Sequence, residues 1–191
     1  MATLCLTVGG PKLAFLKGRL KRWSKIETEM REAFVTSFLH LTLNSDADMR
    51  ALGAKIATIV QKGDVICLIG GLGAGKTTFA RGFIQKTQPE GTETEIPSPT
   101  FTLVQTYETQ GFPIWHFDFY RIESPEDVYE IGLEEALDTG VTLIEWPEKA
   151  ADLLPEERLE IHIEPVENGR RLRFFGHDSW AKRIEQLRLT V

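Results

Sequence analysis

Residues 68–82, "LIGGLGAGKTTFARG", place four glycines in six positions behind an apolar run. Glycine inside regular structure costs about 0.5–1 kcal/mol relative to alanine, so this density marks a loop with a task. The spacing fits G-x-x-x-x-G-K-[ST] at Gly70, Gly75, Lys76 and Thr77. Such a loop wraps a phosphate chain in backbone N–H groups that point inward. That path asks for angles and close approaches that a side chain hinders, the role expected of Gly70, Gly71, Gly73 and Gly75. Lys76 is expected to reach the β and γ phosphates and Thr77 to place its hydroxyl on Mg²⁺. A dinucleotide loop would need G-x-G-x-x-G, and after Gly71 and Gly73 the third glycine position holds Lys76.

Working outward, the motif needs a buried strand before it and a helix after it. "DVICLIG" (64–70) is a continuous apolar run of the kind buried on both faces. "KTTFARGFIQKT" (76–87) reads as a helix with Phe79, Phe83 and Ile84 inward, its N-terminal partial charge aimed at the loop. Upstream, 45–63 predicts a helix capped by Ser45 or Asp46 and stopped by Gly63. Met49, Leu52, Ile56, Ile59 and Val60 fall on one face of it. Downstream, 88–99 is a polar loop with three prolines. Strands at 100–108 and 114–122 predict a hairpin. A helix from Ser124 and Pro125 follows, over "SPEDVYEIGLEEAL". Then come a buried strand at 140–146, a short helix at "PEKAADLL", a hairpin over 158–176 turning at Asn168-Gly169, and a closing helix over "SWAKRIEQLRL". The pattern predicts an α/β fold, a mixed β-sheet flanked by helices on both faces.

A Mg²⁺-dependent phosphate site also wants a carboxylate at the end of a neighbouring buried strand. "IWHFD" ends at Asp118 and "VTLIE" ends at Glu145. An acid directly after core residues points at the same sheet edge as the glycine loop. "PSPTFTL" (97–103) offers Ser98 and Thr100 on a proline-stiffened loop, where a γ-phosphate sensor would lie. Trp146 follows Glu145 and is placed to lie near a nucleotide. His116, on a strand of aromatics, reads as a packed structural histidine.

The chain has 191 residues, 42% of them hydrophobic, and a formal net charge of −6. One compact domain with a short appendage fits that length. Residues 1–29 hold six basic residues against two acidic, leaving −10 on residues 30–191. That balance argues against a broad nucleic-acid surface. The first 29 residues are expected to be a basic tail, a transit peptide or an upstream extension of a domain beginning at Met30, the last being the favoured reading. Residues 30–191 are expected to form the single domain. Two cysteines, Cys5 and Cys67, suggest no disulfide framework and a reducing compartment. No apolar stretch approaches a membrane span.

"LGAGKTTFARGF", "SPTFTLVQTYE", "HFDFYRI" and "LIEWPEKA", in that order and spacing, closely resemble the bacterial TsaE family. The resemblance runs from about Ser45 to Gly176. It implies a three-layer P-loop NTPase fold and a cytoplasmic ATPase, weak alone, that binds ATP with Mg²⁺. It implies work with TsaD and TsaB in threonylcarbamoylation of the tRNA adenosine beside the anticodon, with tRNA met only through that complex. By resemblance, Gly73, Ala74, Gly75, Lys76, Thr77 and Thr78 hold the phosphates. Thr77, Asp118 and Glu145 arrange Mg²⁺ and its waters, Thr100 lies in a switch-like loop, and Trp146 adjoins the nucleotide. Ser45 and Asp46 lie where the family approaches adenine. The family's usual Asp is replaced here by Gly71. A P-loop small-molecule kinase is the alternative, but between residues 82 and 157 only Arg121 could serve an arginine lid. A GTPase would need N-K-x-D, absent from this sequence. A non-catalytic nucleotide-binding scaffold is the remaining reading.

Overall fold

The computed structural model describes residues 37–89, 91 and 95–189. The expected 1–29 extension, the start of the domain at Met30 and Cys5 lie outside the described residues. In chain order the elements are β1 (Leu39–Leu43), α1 (Asp46–Ile56), β2 (Val65–Ile69), α2 (Lys76–Thr87), β3 (Val104–Tyr107), β4 (Ile114–Asp118), α3 (Asp127–Glu130), α4 (Leu133–Thr139), β5 (Val141–Glu145), two 3₁₀ turns (Pro147–Lys149 and Ala151–Leu153), β6 (Leu159–Val166), β7 (Gly169–Gly176) and α5 (Asp178–Glu185).

The strands form one mixed seven-stranded sheet in the order β1-β7-β6-β2-β5-β4-β3. β6, β2, β5 and β4 run parallel. β7 is antiparallel to both β6 and β1, and β3 is antiparallel to β4. Helices pack on both faces, as the alternation of strand and helix patterns predicts. On one face Ile66, Leu68, Leu143, Ile161 and Phe174 share a core with Met49 and Ile56 of α1 and Phe79 and Phe83 of α2. On the other, Val65, Cys67, Phe117 and Ile144 pack with Val128, Leu133 and Ala136 of α3 and α4. Cys67 is fully buried and its burial pushes the thiol pKa up, so it acts as a small core residue.

This sheet positions one edge. β2, β5 and β4 end side by side, with Gly70 following β2 and Glu145 and Asp118 as the last residues of β5 and β4, paired in register. α2 lies close against α1: a Cβ on Gly82 would stand 2.1 Å from the Arg50 carbonyl oxygen. The helix that starts at the glycine loop is therefore held backbone to backbone.

Several boundaries differ from expectation. β1 gave no sequence signal; it is a five-residue edge strand defined by its pairing with β7. α1 stops at Ile56, where Ala57 N–H bonds back to Gly53 and Thr58 turns its hydroxyl onto the Lys55 carbonyl. The strand expected at 100–108 is only β3. Residues before it form a turn in which Leu103 takes φ +66° and donates to the Pro99 carbonyl. β4 ends at Asp118 rather than at 122. The helix expected from Ser124 is broken into α3 and α4 by Gly132 at φ +87°. The helix expected at 147–154 is two 3₁₀ turns. Val166 pairs with Gly169, so the hairpin turns on Glu167-Asn168, one residue earlier than the motif suggested. The closing helix, α5, ends at Glu185.

Candidate phosphate-binding site

The glycine loop leaves β2 and enters α2 at Lys76. Gly75 sits at φ +110° and Gly73 at φ +73°, backbone that L side chains rarely adopt. A Cβ at Gly70 would stand 2.5 Å from the Ile163 carbonyl oxygen. Gly71 corrects the expectation: its φ is not in the positive region and a Cβ there would meet nothing within 4 Å. Three of the four glycines are needed by the path of the chain, and the fourth is not.

Beyond the loop lies a cavity of about 340 Å³. It is lined by Gly73, Ala74, Gly75, Lys76, Thr77, Thr78, Thr100, Asp118, Glu145, Trp146 and Asp46. Those residues were expected at the site from sequence, and they converge. Ser45 does not line the cavity; it caps α1, its hydroxyl oxygen accepting from Asp48 N–H at 3.1 Å.

Lys76 is buried, 4% exposed. Its Nζ donates to the carbonyls of Gly70 at 2.6 Å and Gly71 at 2.9 Å, and lies 3.8 Å from the centre of the Trp146 ring. The ammonium thus rests on its own loop. Burial lowers its pKa from the usual lysine value, opposed by the nearby charges of Glu145, Glu148 and Asp118. Trp146 is left-handed at φ +59°, which turns its indole over Lys76 directly after Glu145. The Tyr120 ring lies 5.0 Å from it, centre to centre, and the two form one aromatic wall.

The acids are buried and each holds a hydroxyl. Thr77 Oγ1 donates to Glu145 Oε2 at 3.0 Å. Thr100 Oγ1 donates to Asp118 Oδ2 at 2.6 Å, and Ser98 Oγ lies 2.9 Å from Thr100 Oγ1. The Tyr120 amide donates to Asp118 Oδ1 at 2.9 Å. The switch-like loop is therefore tied to the end of β4. His116 is fully buried, as expected, but it is not merely packed: its Nε2 lies 3.0 Å from Glu145 Oε1.

The donor set facing the cavity, a threonine hydroxyl and two carboxylates, is all hard oxygen and suits Mg²⁺. Among the described residues no group of three or more His, Cys, Asp or Glu could hold a metal ion by itself.

Sequence reasoning missed Leu72, Tyr120 and Arg170 of the lining. Arg170, the second residue of β7, packs its Cδ and Nε 3.4 Å from a Cβ built on Gly75, and pairs with Asp46 at 3.6 Å. The available signal was topological. A hairpin that follows a strand parallel to β2 must turn at the edge where the glycine loop lies.

Comparison with known proteins points to one family. The family model described as "Threonylcarbamoyl adenosine biosynthesis protein TsaE" matches residues 43–172. A Rickettsia conorii protein named tRNA threonylcarbamoyladenosine biosynthesis protein TsaE is 44% identical over 131 residues, 69% of this chain and 74% of its own length. A protein of the same name from Haemophilus influenzae is 35% identical over 142 residues, covering 71% and 88%. The crystal structure of Bacillus subtilis YdiB superposes with a TM-score of 0.64 at 31% identity, covering 78% of this chain and 93% of that one. Among the described residues no helix is long and apolar enough to cross a membrane.

Proposed function

This chain belongs to the family of the threonylcarbamoyl adenosine biosynthesis protein TsaE, and from that premise we propose that it is a Mg²⁺-dependent ATPase serving threonylcarbamoylation of tRNA. The observation that carries the reading is the convergence of Lys76, the Thr77–Glu145 pair and the Thr100–Asp118 pair on one cavity beneath a glycine loop.

In this reading Lys76 leaves the Gly70 and Gly71 carbonyls and donates to phosphate oxygens, a charge-assisted contact in a buried setting. The loop amides and the start of α2 supply further positive potential. Thr77, Asp118 and Glu145 would hold hydrated Mg²⁺, which when bound neutralises charge developing on the phosphates. Asp118 and Glu145 orient hydroxyls and waters, and Thr100 couples the 97–103 loop to the state of the phosphate end. Asp46, where the nucleoside would approach, and Arg170, packed against Gly75 of the loop, also line the cavity. Arg121 lies over the Phe101 ring at 4.3 Å rather than reaching the cavity, which disfavours the kinase alternative.

Partners fit the rim. Leu72 is 85% exposed and Phe101, beside Thr100, is 81% exposed, and Tyr120 is also exposed. Large apolar groups in water at the mouth of a site suit a protein that docks there. TsaD and TsaB are the proposed partners, with tRNA met through them.

The test is calorimetric titration with ATP and with GTP, in Mg²⁺, on the wild type and Lys76→Ala. Saturable ATP binding that the substitution weakens supports the reading. Preference for GTP, or ATP binding indifferent to Lys76, overturns it.

A further inference from the structure

Along β4 the side chains of Ile114, His116 and Asp118 alternate onto the face that carries α2, while Trp115 and Phe117 face the other core. Apolar residues fill that face at Ile114 and, on β5, at Val141 and Leu143. A fully buried imidazole at 116 departs from the pattern. It carries a desolvation cost that only hydrogen bonding offsets. One nitrogen is satisfied: Nε2, 3.0 Å from Glu145 Oε1. The other, Nδ1, is buried and has no partner among the described residues. Among the described residues, the polar contact that accounts for a histidine here is the one to Glu145.

Glu145 is 2% exposed, and its two oxygens are divided. Oε1 meets His116 and Oε2 accepts from Thr77 at 3.0 Å. The carboxylate torsion of glutamate is broad and roughly two-fold, so packing alone does not fix which oxygen points where. Thr77 is a weak anchor, since its hydroxyl is the group wanted elsewhere once a nucleotide enters. His116 sits on the strand beside Glu145, in a parallel ladder that places it against Leu143, and it cannot be drawn away.

We infer that His116 is a positioning residue: it holds Glu145 Oε1 and so leaves Oε2 as the one oxygen presented to Thr77 and the cavity. This rests on the nucleotide-site reading above and adds a residue outside the cavity lining. Removing the imidazole would let the carboxylate rotate and would blur the geometry of the Thr77–Glu145 pair. Supporting partners of this kind are typically worth about 10–100-fold in metal affinity or activity.

The experiment uses the full chain with His116→Leu, which fills the space without a donor, and His116→Gln, whose amide can donate from a similar reach. Affinity for a non-hydrolysable ATP analogue is measured with Mg²⁺ and with a chelator, and kcat and KM for ATP are measured alongside. The expected result for His116→Leu is unchanged metal-free affinity, a loss of about tenfold in the Mg²⁺ enhancement, and a fall in kcat with KM little changed. His116→Gln is expected to recover much of both. If His116→Leu does not fold, His116→Gln against the shorter His116→Asn decides in the same way, with Asn the weaker. Wild-type enhancement in Leu, or no difference between the donor and its comparison variant, overturns the inference and leaves the nucleotide reading standing. A wild type whose analogue affinity ignores Mg²⁺ overturns both.

Discussion

The seven-stranded sheet has two flanks built to different rules. β2, β5 and β4 are parallel and largely buried, and before their last residue they are apolar except for the buried His116 and Thr142. β6 and β7 form an antiparallel hairpin that alternates, with Leu159, Ile161, Ile163, Leu172 and Phe174 inward. The opposite face of that hairpin pairs its charges: Glu160 with Arg158 and His162, and Glu164 with Arg173. A charge on the hairpin is shared with solvent and contributes tenths of a kcal/mol. A carboxylate at the end of the parallel trio is buried, held by hydroxyls, a backbone amide or His116 and set near the Lys76 ammonium, the setting in which functional carboxylates are found. The same residue type therefore lines the cavity on one flank and pairs with neighbouring charges in solvent on the other.

Substitutions can break this contrast, and the largest effect belongs to the trio's edge. Lys76→Ala removes charge-assisted contacts worth about 2–3 kcal/mol, so ATP affinity should fall by roughly 30–150-fold with the thermal midpoint unchanged or raised. Calorimetry and thermal unfolding read the two quantities separately. Next, Asp118→Asn keeps shape and removes charge. Turnover should fall by about 100-fold while ATP affinity stays within a few-fold, because the group orders hydroxyls and cation rather than the phosphates. Normal turnover in Asp118→Asn would remove that residue from the site.

Arg170 sharpens the comparison, being the hairpin residue that enters the cavity. Arg170→Ala should weaken ATP binding by about tenfold, a loss of one charge-assisted contact, where Arg171→Ala on the outer face should change nothing measurable. Equal behaviour of the two would place Arg170 with the rest of its flank. The smallest effect is at Glu160. The hydrogen bond from His162, with Arg158 beside it, holds this carboxyl below its usual 4.5 despite opposing burial. A lowered folded-state value contributes stability above pH 4.5 that is lost as pH falls through the folded value. Glu160→Gln should cost about 0.5 kcal/mol near neutrality, and the difference should vanish in acid. Urea melts across pH check the sign.

The trio was legible in the sequence because its strands are mostly apolar and end in chemically distinctive residues. Largely apolar runs that end in Gly70, Asp118 or Glu145 leave few ways to fold, and the glycine spacing is the signal from which a phosphate ligand is expected. The core glycine-loop residues, both acids and Trp146 could be placed without coordinates. The hairpin was visible as a hairpin, yet its place beside β2 was not, so Arg170 went unseen. β1 was invisible because an edge strand of five residues owes its existence to a partner more than a hundred residues away. Gly132 split a helix that its capping signals would have run on, since a glycine at φ +87° overrides propensity. His116 was read correctly as buried, but its bond to Glu145 depends on strand register, which a single strand's pattern does not contain.

The most direct test of the account is ATP turnover by the purified chain with Mg²⁺, with and without TsaD and TsaB, beside Lys76→Ala. The account predicts low turnover alone, a rise when the partners are added, and no rise in the Lys76→Ala chain. Turnover that ignores the partners, or a rise that survives loss of Lys76, would contradict it.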